Sequence, residues 1–271
     1  MSTSSTIRFY SSVASVFFAV LAFVLMTMYA SNEDTDAGYL GGLNADHLFS
    51  YHPFFMTLGM VTFSVMALNS YAVLPLAHST QKAVHVVFHT CALLCFSLGL
   101  SYVVRAHNDG LKPNLNSMHS WVGLAAAVVY TQNYLLGFFF FLASAATRQA
   151  AREYMPSHLS LGLMSLCLTM AATISGITEL GACAYITPLT APDTNPAAQY
   201  ANNTTAACKV VQGAGICIVC AVLCSVYALI PAKAPTTDVN GNGDGDGTGI
   251  FKKYGSDGGS ETNPLGVEPG I

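Results

Sequence analysis

Charge is the scarcest thing in this sequence. Only 9% of its 271 residues are Asp, Glu, Lys or Arg, whereas soluble domains carry about 25%. With 52% hydrophobic residues and a mean hydropathy of +0.48, the chain lacks the polar surface that a water-facing fold needs. Its net charge of −4 is too small and of the wrong sign for a nucleic-acid binder. Tryptophan is nearly absent too, with Trp121 the only one. The cysteines lack the two-pair spacing of a zinc site, since Cys217-x-x-Cys220 has no second pair. Most of them lie inside apolar runs and read as small packing residues. Cys183 and Cys208 flank one polar segment and form a candidate disulfide.

Long apolar runs are what the chain has instead. Six are long enough, at about 20 residues, to cross a bilayer as helices. They are approximately Tyr10–Ala30, Tyr51–Leu76, Val84–Val104, Met118–Ala146, Ser157–Thr178 and Val210–Pro231, and none has Asp, Glu, Lys or Arg in its interior. The first run follows a short polar start with Arg8, is long for a signal-peptide core and lacks a clear small-residue cleavage site, so it reads as a helix. These runs predict an all-α membrane protein with residues 1–231 as one six-helix domain. The Gly-, Ser- and Asp-rich residues 232–271 predict a disordered tail. The DGDG run in that tail has no following Glu at the spacing of a calcium loop and reads as linker.

The loop charges set the orientation. With the N-terminus in the cytosol, the cytosolic segments hold Arg8, Lys82, Arg148, Arg152, Lys233, Lys252 and Lys253. The other side holds Arg105, Lys112 and Lys209, together with the acidic Glu33, Asp34, Asp36 and Asp46. Asn202-Asn203-Thr204 in the last non-cytosolic loop has the form of a glycosylation acceptor.

Histidines stand at the mouths of four successive runs. His52 and His119 share the non-cytosolic level, because the second and fourth runs both start there. His85 and His158 share the cytosolic level for the same reason. Each pair comes from two helices that can face one another in a bundle. Two neutral imidazoles on either side of a flat ligand are what six-coordinate haem iron needs. A non-redox metal transporter with paired histidines is the alternative, although it usually brings carboxylates or thiolates to the same level. Gly137 lies eighteen residues after His119, and Gly176 eighteen after His158. Five full turns put each glycine on its histidine's face about 27 Å further along. The spacing suits either a side-chain-free surface for a planar ligand or plain small-residue helix packing. Gly99, fourteen residues after His85, is about 40° off that face. His89, one turn beyond His85, is an alternative ligand or a supporting donor. His47 and His78 read as solvated interfacial residues.

Several segments carry a resemblance. FSYHPFFMTLGM around His52, QKAVHVVFH around His85 and His89, and HNDGLKPNLNSMHSWVGL from His107 to Leu124 are similar to elements of the cytochrome b561 family of transmembrane ascorbate-dependent reductases. So are QNYLLGF at Gln132–Phe138, YMPSH and GITEL. The resemblance covers about Ser50 to Leu180. It implies a central four-helix bundle of helices two to five with two b haems, one on His52 and His119 and one on His85 and His158. It further implies an oxidoreductase that carries electrons from cytosolic ascorbate to monodehydroascorbate or a ferric chelate on the other side. Lys82 and Arg152 fall at the implied cytosolic ascorbate site, and His107 and Asn108 at the implied outer site, with Lys82 and His107 in catalytic roles. A homodimer in an endomembrane, vacuolar or lysosomal, or plasma membrane is implied as well. The chain departs from the pattern at Ala72, where the family usually has arginine, and at Asn116, where it often has tyrosine.

Overall fold

The computed structural model describes residues 3–143, 147–180, 182–183 and 205–230, and these form six long helices with no strand among them. They are α1 (Thr3–Ser31), α2 (Leu48–Val73), α3 (His78–Asp109), α4 (Met118–Leu142), α5 (Arg148–Glu179) and α6 (Ala206–Leu229). Each is long and apolar enough to cross a membrane. Together with the absence of charge from the apolar runs, this makes the chain a multi-pass membrane protein. The expected tail and the Asn202–Thr204 triplet lie outside the described residues.

Helix ends differ from the apolar runs because hydropathy marks the span and not the helix. α3 begins at His78, six residues before Val84, and continues to Asp109, so that His107 and Asn108 belong to its last turn and not to a loop. α5 begins at Arg148, so His158 stands ten residues inside a helix whose first turns are polar. Thr147 caps that start, its hydroxyl accepting from Ala150 N at 3.2 Å. Pro156 lies inside α5. It supplies no N–H, so the helical partner of the Arg152 carbonyl is missing two residues before His158. Ser117 caps α4.

The packing has one central pair of seams and one open side. α2 lies close against α3, and α4 against α5, whereas the backbones of α3 and α4 stand further apart and meet through long side chains such as Tyr130 and Tyr134. α1 and α6 cover the opposite side. One apolar cluster joins Ala19 and Ala22 of α1, Val61 and Val65 of α2, Leu166 of α5, and Ile218, Ala221 and Val222 of α6. A second joins Met26 and Tyr29 to Ala207, Val211 and Ala214. α2 is the most enclosed span, with 56% of its apolar window buried against 11% for α3. Between α3 and α4 runs a groove of about 620 Å³, lined by Phe96, Leu100, Leu124, Val128 and Leu135 among others.

Small polar side chains fasten the covering helices. The Ser15 and Ser225 hydroxyls lie 2.5 Å apart, Ser15 donates to Ala221 O at 2.7 Å, and Asn69 Nδ2 donates to Ser225 Oγ at 2.9 Å. Thr62 Oγ1 donates to Ala19 O at 3.2 Å. These bonds tie α1, α2 and α6 where the bilayer supplies no hydrophobic drive. The Cys183–Cys208 disulfide forms as expected, with the Cα atoms 4.8 Å apart, and fixes the start of α6 to the segment after α5.

α2 is not α-helical throughout. Thr57–Phe63 is a π-helical stretch that accommodates an extra residue. Gly59 sits within it against α3. A Cβ there would lie 2.7 Å from Cys95 Cβ and 2.8 Å from Ala92 O, with backbone on the receiving side. Gly59→Ala is therefore expected to cost about 1–3 kcal/mol through overpacking. Gly123→Ala, which meets nothing within 4 Å, is expected to cost nothing. Thermal unfolding of the two detergent-purified variants checks this, and equal midpoints would contradict the close α2–α3 seam.

Candidate functional site

The four helix-mouth histidines meet as two pairs. The rings of His52 and His119 have centroids 6.1 Å apart at 83°, and those of His85 and His158 lie 6.4 Å apart at 68°. Two metal–imidazole bonds of about 2.0–2.1 Å, plus about 1 Å from each bound nitrogen to its ring centre, span about 6 Å. Both gaps are thus wide enough for one metal atom between the two rings. α2 and α4 supply one pair, and α3 and α5 the other.

Each ring is oriented by a bond to the helix packed beside it. His52 Nδ1 donates to Gly99 O at 3.0 Å, His85 Nδ1 to Ala67 O at 2.9 Å, and His119 Nδ1 to Ala172 O at 2.7 Å. A carbonyl oxygen only accepts, so Nδ1 carries the proton in each. Nε2 is left as the ring's one basic nitrogen, which is the form that binds a metal. His158 Nδ1 instead donates to the side-chain Oδ1 of Asn133 at 2.9 Å. Asn133 Nδ2 donates to the His158 carbonyl at 3.1 Å, which fixes the amide's orientation.

The two glycines at the eighteen-residue spacing pack against histidines of the other pair. A Cβ on Gly137 would lie 2.7 Å from His158 Cε1, and one on Gly176 2.7 Å from His119 Cε1. At both glycines the surface left free of a side chain is occupied by an imidazole of the other pair. Gly99 serves by its carbonyl and by its lack of a side chain, since a Cβ would press on Phe55 and Met56 at 3.3 Å.

His89 is a neighbour of the second pair and not its partner across the gap. Its ring lies 4.5 Å from that of His85, and its Nδ1 bonds the Tyr130 hydroxyl at 2.8 Å. Aromatic side chains wall the same level. Phe141 is 5.2 Å and Tyr154 6.1 Å from His158, and Tyr71 is 5.3 Å from His85. At the other level, Tyr102 stacks on Tyr51 at 4.5 Å and on Phe55 at 5.9 Å.

The expected substrate residues gather at the two ends. The Lys82 ammonium reaches from α3 to the Phe141 carbonyl at the end of α4, where a cation meets the negative end of the helix dipole. Arg152 is exposed in the early turns of α5. At the opposite end, His107 Nδ1 is buried with no hydrogen-bond partner, and Asn108 Oδ1 accepts from Asn114 at 3.1 Å. The loop beyond is held with Leu111 and Leu115 at φ +52° and +57°, a conformation that costs a bulky residue free energy. Trp121 is 56% exposed on the first turn and a half of α4, as an interfacial anchor would be. Ala72 and Asn116 are both exposed. His47 is exposed and bonded to Asn44, as its solvated reading predicts.

Residues 51–183, which contain the four paired histidines together with Lys82, His107, Asn108 and Arg152, match the sequence profile described as eukaryotic cytochrome b561. This part of the chain belongs to the cytochrome b561 family. The family is known to bind haem b, and the two paired, Nδ1-protonated histidine sets fit that group. An ascorbate-specific transmembrane electron transporter of Zea mays is 31% identical over 147 residues, which cover 52% of this chain and 62% of the relative. A transmembrane ascorbate ferrireductase of Arabidopsis thaliana is 28% identical over 166 residues, 59% of this chain and 67% of the relative. A lysosomal membrane ascorbate-dependent ferrireductase of Mus musculus is 33% identical over 136 residues, 49% and 56% respectively. The match thus spans 62% of the length of the maize relatives.

Sequence reasoning did not find Asn133. It stood inside the quoted QNYLLGF segment, and its position fourteen residues after His119 was the available signal. Gly137, one turn later, touches the same ring. Gly137→Ala and Gly176→Ala should each crowd a histidine that cannot retreat, and each should lose part of the bound haem b. A pyridine haemochromogen assay on purified protein reads this, with Gly123→Ala as the unaffected control.

Proposed function

We propose that this protein moves electrons across its membrane from ascorbate on the N-terminal side to monodehydroascorbate or a ferric chelate on the other. The observation that carries this is the pair of histidine sets at opposite ends of one bundle, each spaced to admit a metal between its two rings. His52 with His119, and His85 with His158, would hold two b haems. Bound there, the haems supply one-electron carriers at two depths of the bilayer. Among the described residues no group of three His, Cys, Asp or Glu meets in metal-binding reach. Two protein ligands and no third suit a haem better than a bare transported ion.

The chain's own residues divide the remaining work. Lys82 retains two further ammonium protons beyond its bond to Phe141, and with Arg148 and Arg152 it makes the N-terminal end attractive to the ascorbate anion. The charge asymmetry of the loops supports that end as cytosolic. At the outer end, His107 has a buried ring nitrogen in need of a partner. In the last turn of α3 it is positioned to bond a substrate oxygen or exchange a proton with it. Exposed Asn108 adds a polar amide beside it. Ala72 leaves the inner end one cation short of the family's usual pattern, so Lys82 and Arg152 carry more of the anion recognition here. The lysosomal name of the mouse relative favours an endomembrane.

The visible spectrum of the purified protein tests the reading. Sharp bands should appear on reduction by ascorbate, and none would appear in a metal transporter. His119→Ala should remove one haem and leave the other, because the second pair uses different helices. A variant that retains two full haems would remove His119 from the ligand set. His107→Ala should keep both haems and normal reduction by ascorbate, and it should slow reoxidation by a ferric chelate in proteoliposomes at least several-fold. Unchanged reoxidation would make His107 a bystander.

A further inference from the structure

The bundle carries an internal pattern that breaks at one residue. On α4 the histidine is residue 119, and the position fourteen further on is Asn133. On α5 the histidine is residue 158, and fourteen further on is Ala172. On α3 the pair is His85 and Gly99. On α2 it is His52 and Ala67, fifteen apart, with the π-helical Thr57–Phe63 accommodating the added residue between them. Each histidine thus donates from Nδ1 to this second position on its packing partner. At Gly99, Ala67 and Ala172 the acceptor is the main-chain carbonyl, which already receives a helical N–H from the residue four further on. Only at residue 133 does a side chain intervene, and there the acceptor is an amide oxygen.

The Asn133 amide is built in. The residue is 9% exposed. Its Nδ2 is held by the His158 carbonyl at 3.1 Å, and its Oδ1 receives both His158 Nδ1–H at 2.9 Å and the Tyr154 hydroxyl at 3.4 Å. Gly162, one turn beyond His158, packs beside it, where a Cβ would meet Nδ2 at an ordinary contact distance of 3.5 Å. Tyr154 is itself stacked on Phe140 at 4.5 Å, so its hydroxyl is aimed by packing.

We infer that Asn133 is a positioning residue that sets the reduction potential of the haem on His85 and His158 separately from that of the other haem. This rests on the ligand assignment proposed above. The acceptor at Nδ1 governs how much electron density the imidazole gives through Nε2. A stronger acceptor makes His158 a more basic ligand and favours the ferric ion, and a lost acceptor favours the ferrous ion. The step is one electron per iron, and the Nδ1 proton stays on His158. Three acceptors are main-chain carbonyls, which no substitution removes, although the Ser70 hydroxyl also donates to Ala67 O at 2.8 Å and the Ser175 hydroxyl to Ala172 O at 2.9 Å. The fourth is a replaceable side chain, and Tyr154 adds a donor that draws density away from its oxygen. The two haems are thereby tuned unequally within a nearly symmetric frame.

Equilibrium redox titration of the purified holoprotein, followed at the haem bands, tests this. His158→Ala first identifies which wave belongs to the His85–His158 haem. Asn133→Asp places a carboxylate on Nδ1–H and should make that haem at least tenfold harder to reduce, a shift of about 59 mV to lower potential. Asn133→Leu removes the acceptor and should move the same wave to higher potential. Tyr154→Phe should follow the direction of Asp by a smaller step, and Asn133→Gln should lie nearest the parent. The other wave should stay in place in all four. Unmoved waves in Asp and Leu variants that both retain two low-spin haems would overturn the inference. Equal displacement of both waves would do the same, because it would mark a general structural change. A parent protein with no second haem, or a His158→Ala variant that keeps both waves, would instead overturn the ligand assignment on which the inference rests.

Discussion

The hydrogen bond from each histidine's Nδ1 to the adjacent antiparallel helix is the constraint on which the bundle depends. It fixes three things together. It settles the tautomer, so that Nε2 is the free nitrogen. It aims the ring across the bundle and not along it. It also sets the register of α2 against α3 and of α4 against α5, because a slide by one residue would turn the acceptor by about 100°. In a medium as apolar as the helix surfaces themselves, such bonds and close packing hold helices together. Histidine geometry and helix register are therefore the same problem here.

Small residues make the bonds attainable. Ala67, Gly99 and Ala172 expose a carbonyl that a larger side chain would shield. Gly137 and Gly176 let an imidazole lie on the helix where a Cβ would come within 2.7 Å of it. Gly59 does the same for the α2–α3 seam, and the π-helical stretch around it accommodates the one residue by which α2 departs from the fourteen-residue interval. Each of these features looks like local irregularity in isolation. Taken together they are what lets two helix pairs present their histidines into a space between them. α1 and α6 close one side of that space with Ser15, Ser225 and Asn69, and leave the α3–α4 side open.

The two ends of the bundle are chemically unlike. At the N-terminal end, the Lys82 ammonium is drawn to the carbonyls that finish α4, with Arg152 exposed on α5. At the other, half-buried His107 stands in the last turn of α3 with its Nδ1 enclosed, just before a short loop with two leucines in the left-handed region. A fixed cation suits attraction of an anion. A half-buried imidazole whose enclosed ring nitrogen has no partner is free to give or accept a hydrogen bond. The difference gives direction to a frame that is otherwise close to symmetric.

The sequence by itself determined the class of the molecule and the depth of its chemistry. Length and apolarity of the runs settled six spans, since an uncharged stretch of that length has no other stable environment. Alternation of the chain then matched His52 with His119 and His85 with His158 by level, and the segments around them carried the family. The chance to pair Cys183 with Cys208 was legible as well. Helix ends were not, because hydropathy stops at the membrane surface while the backbone ladder continues to a cap, as at Thr147, or to the turn after Asp109. Only the tertiary structure decided which atoms hold each imidazole. Three of the acceptors are main-chain carbonyls, which every residue has and no sequence pattern marks. The fourth, Asn133, became meaningful once α4 and α5 were placed at contact distance. Close approach between helices is a property of two surfaces at once, and a single chain read in order shows only one of them at a time.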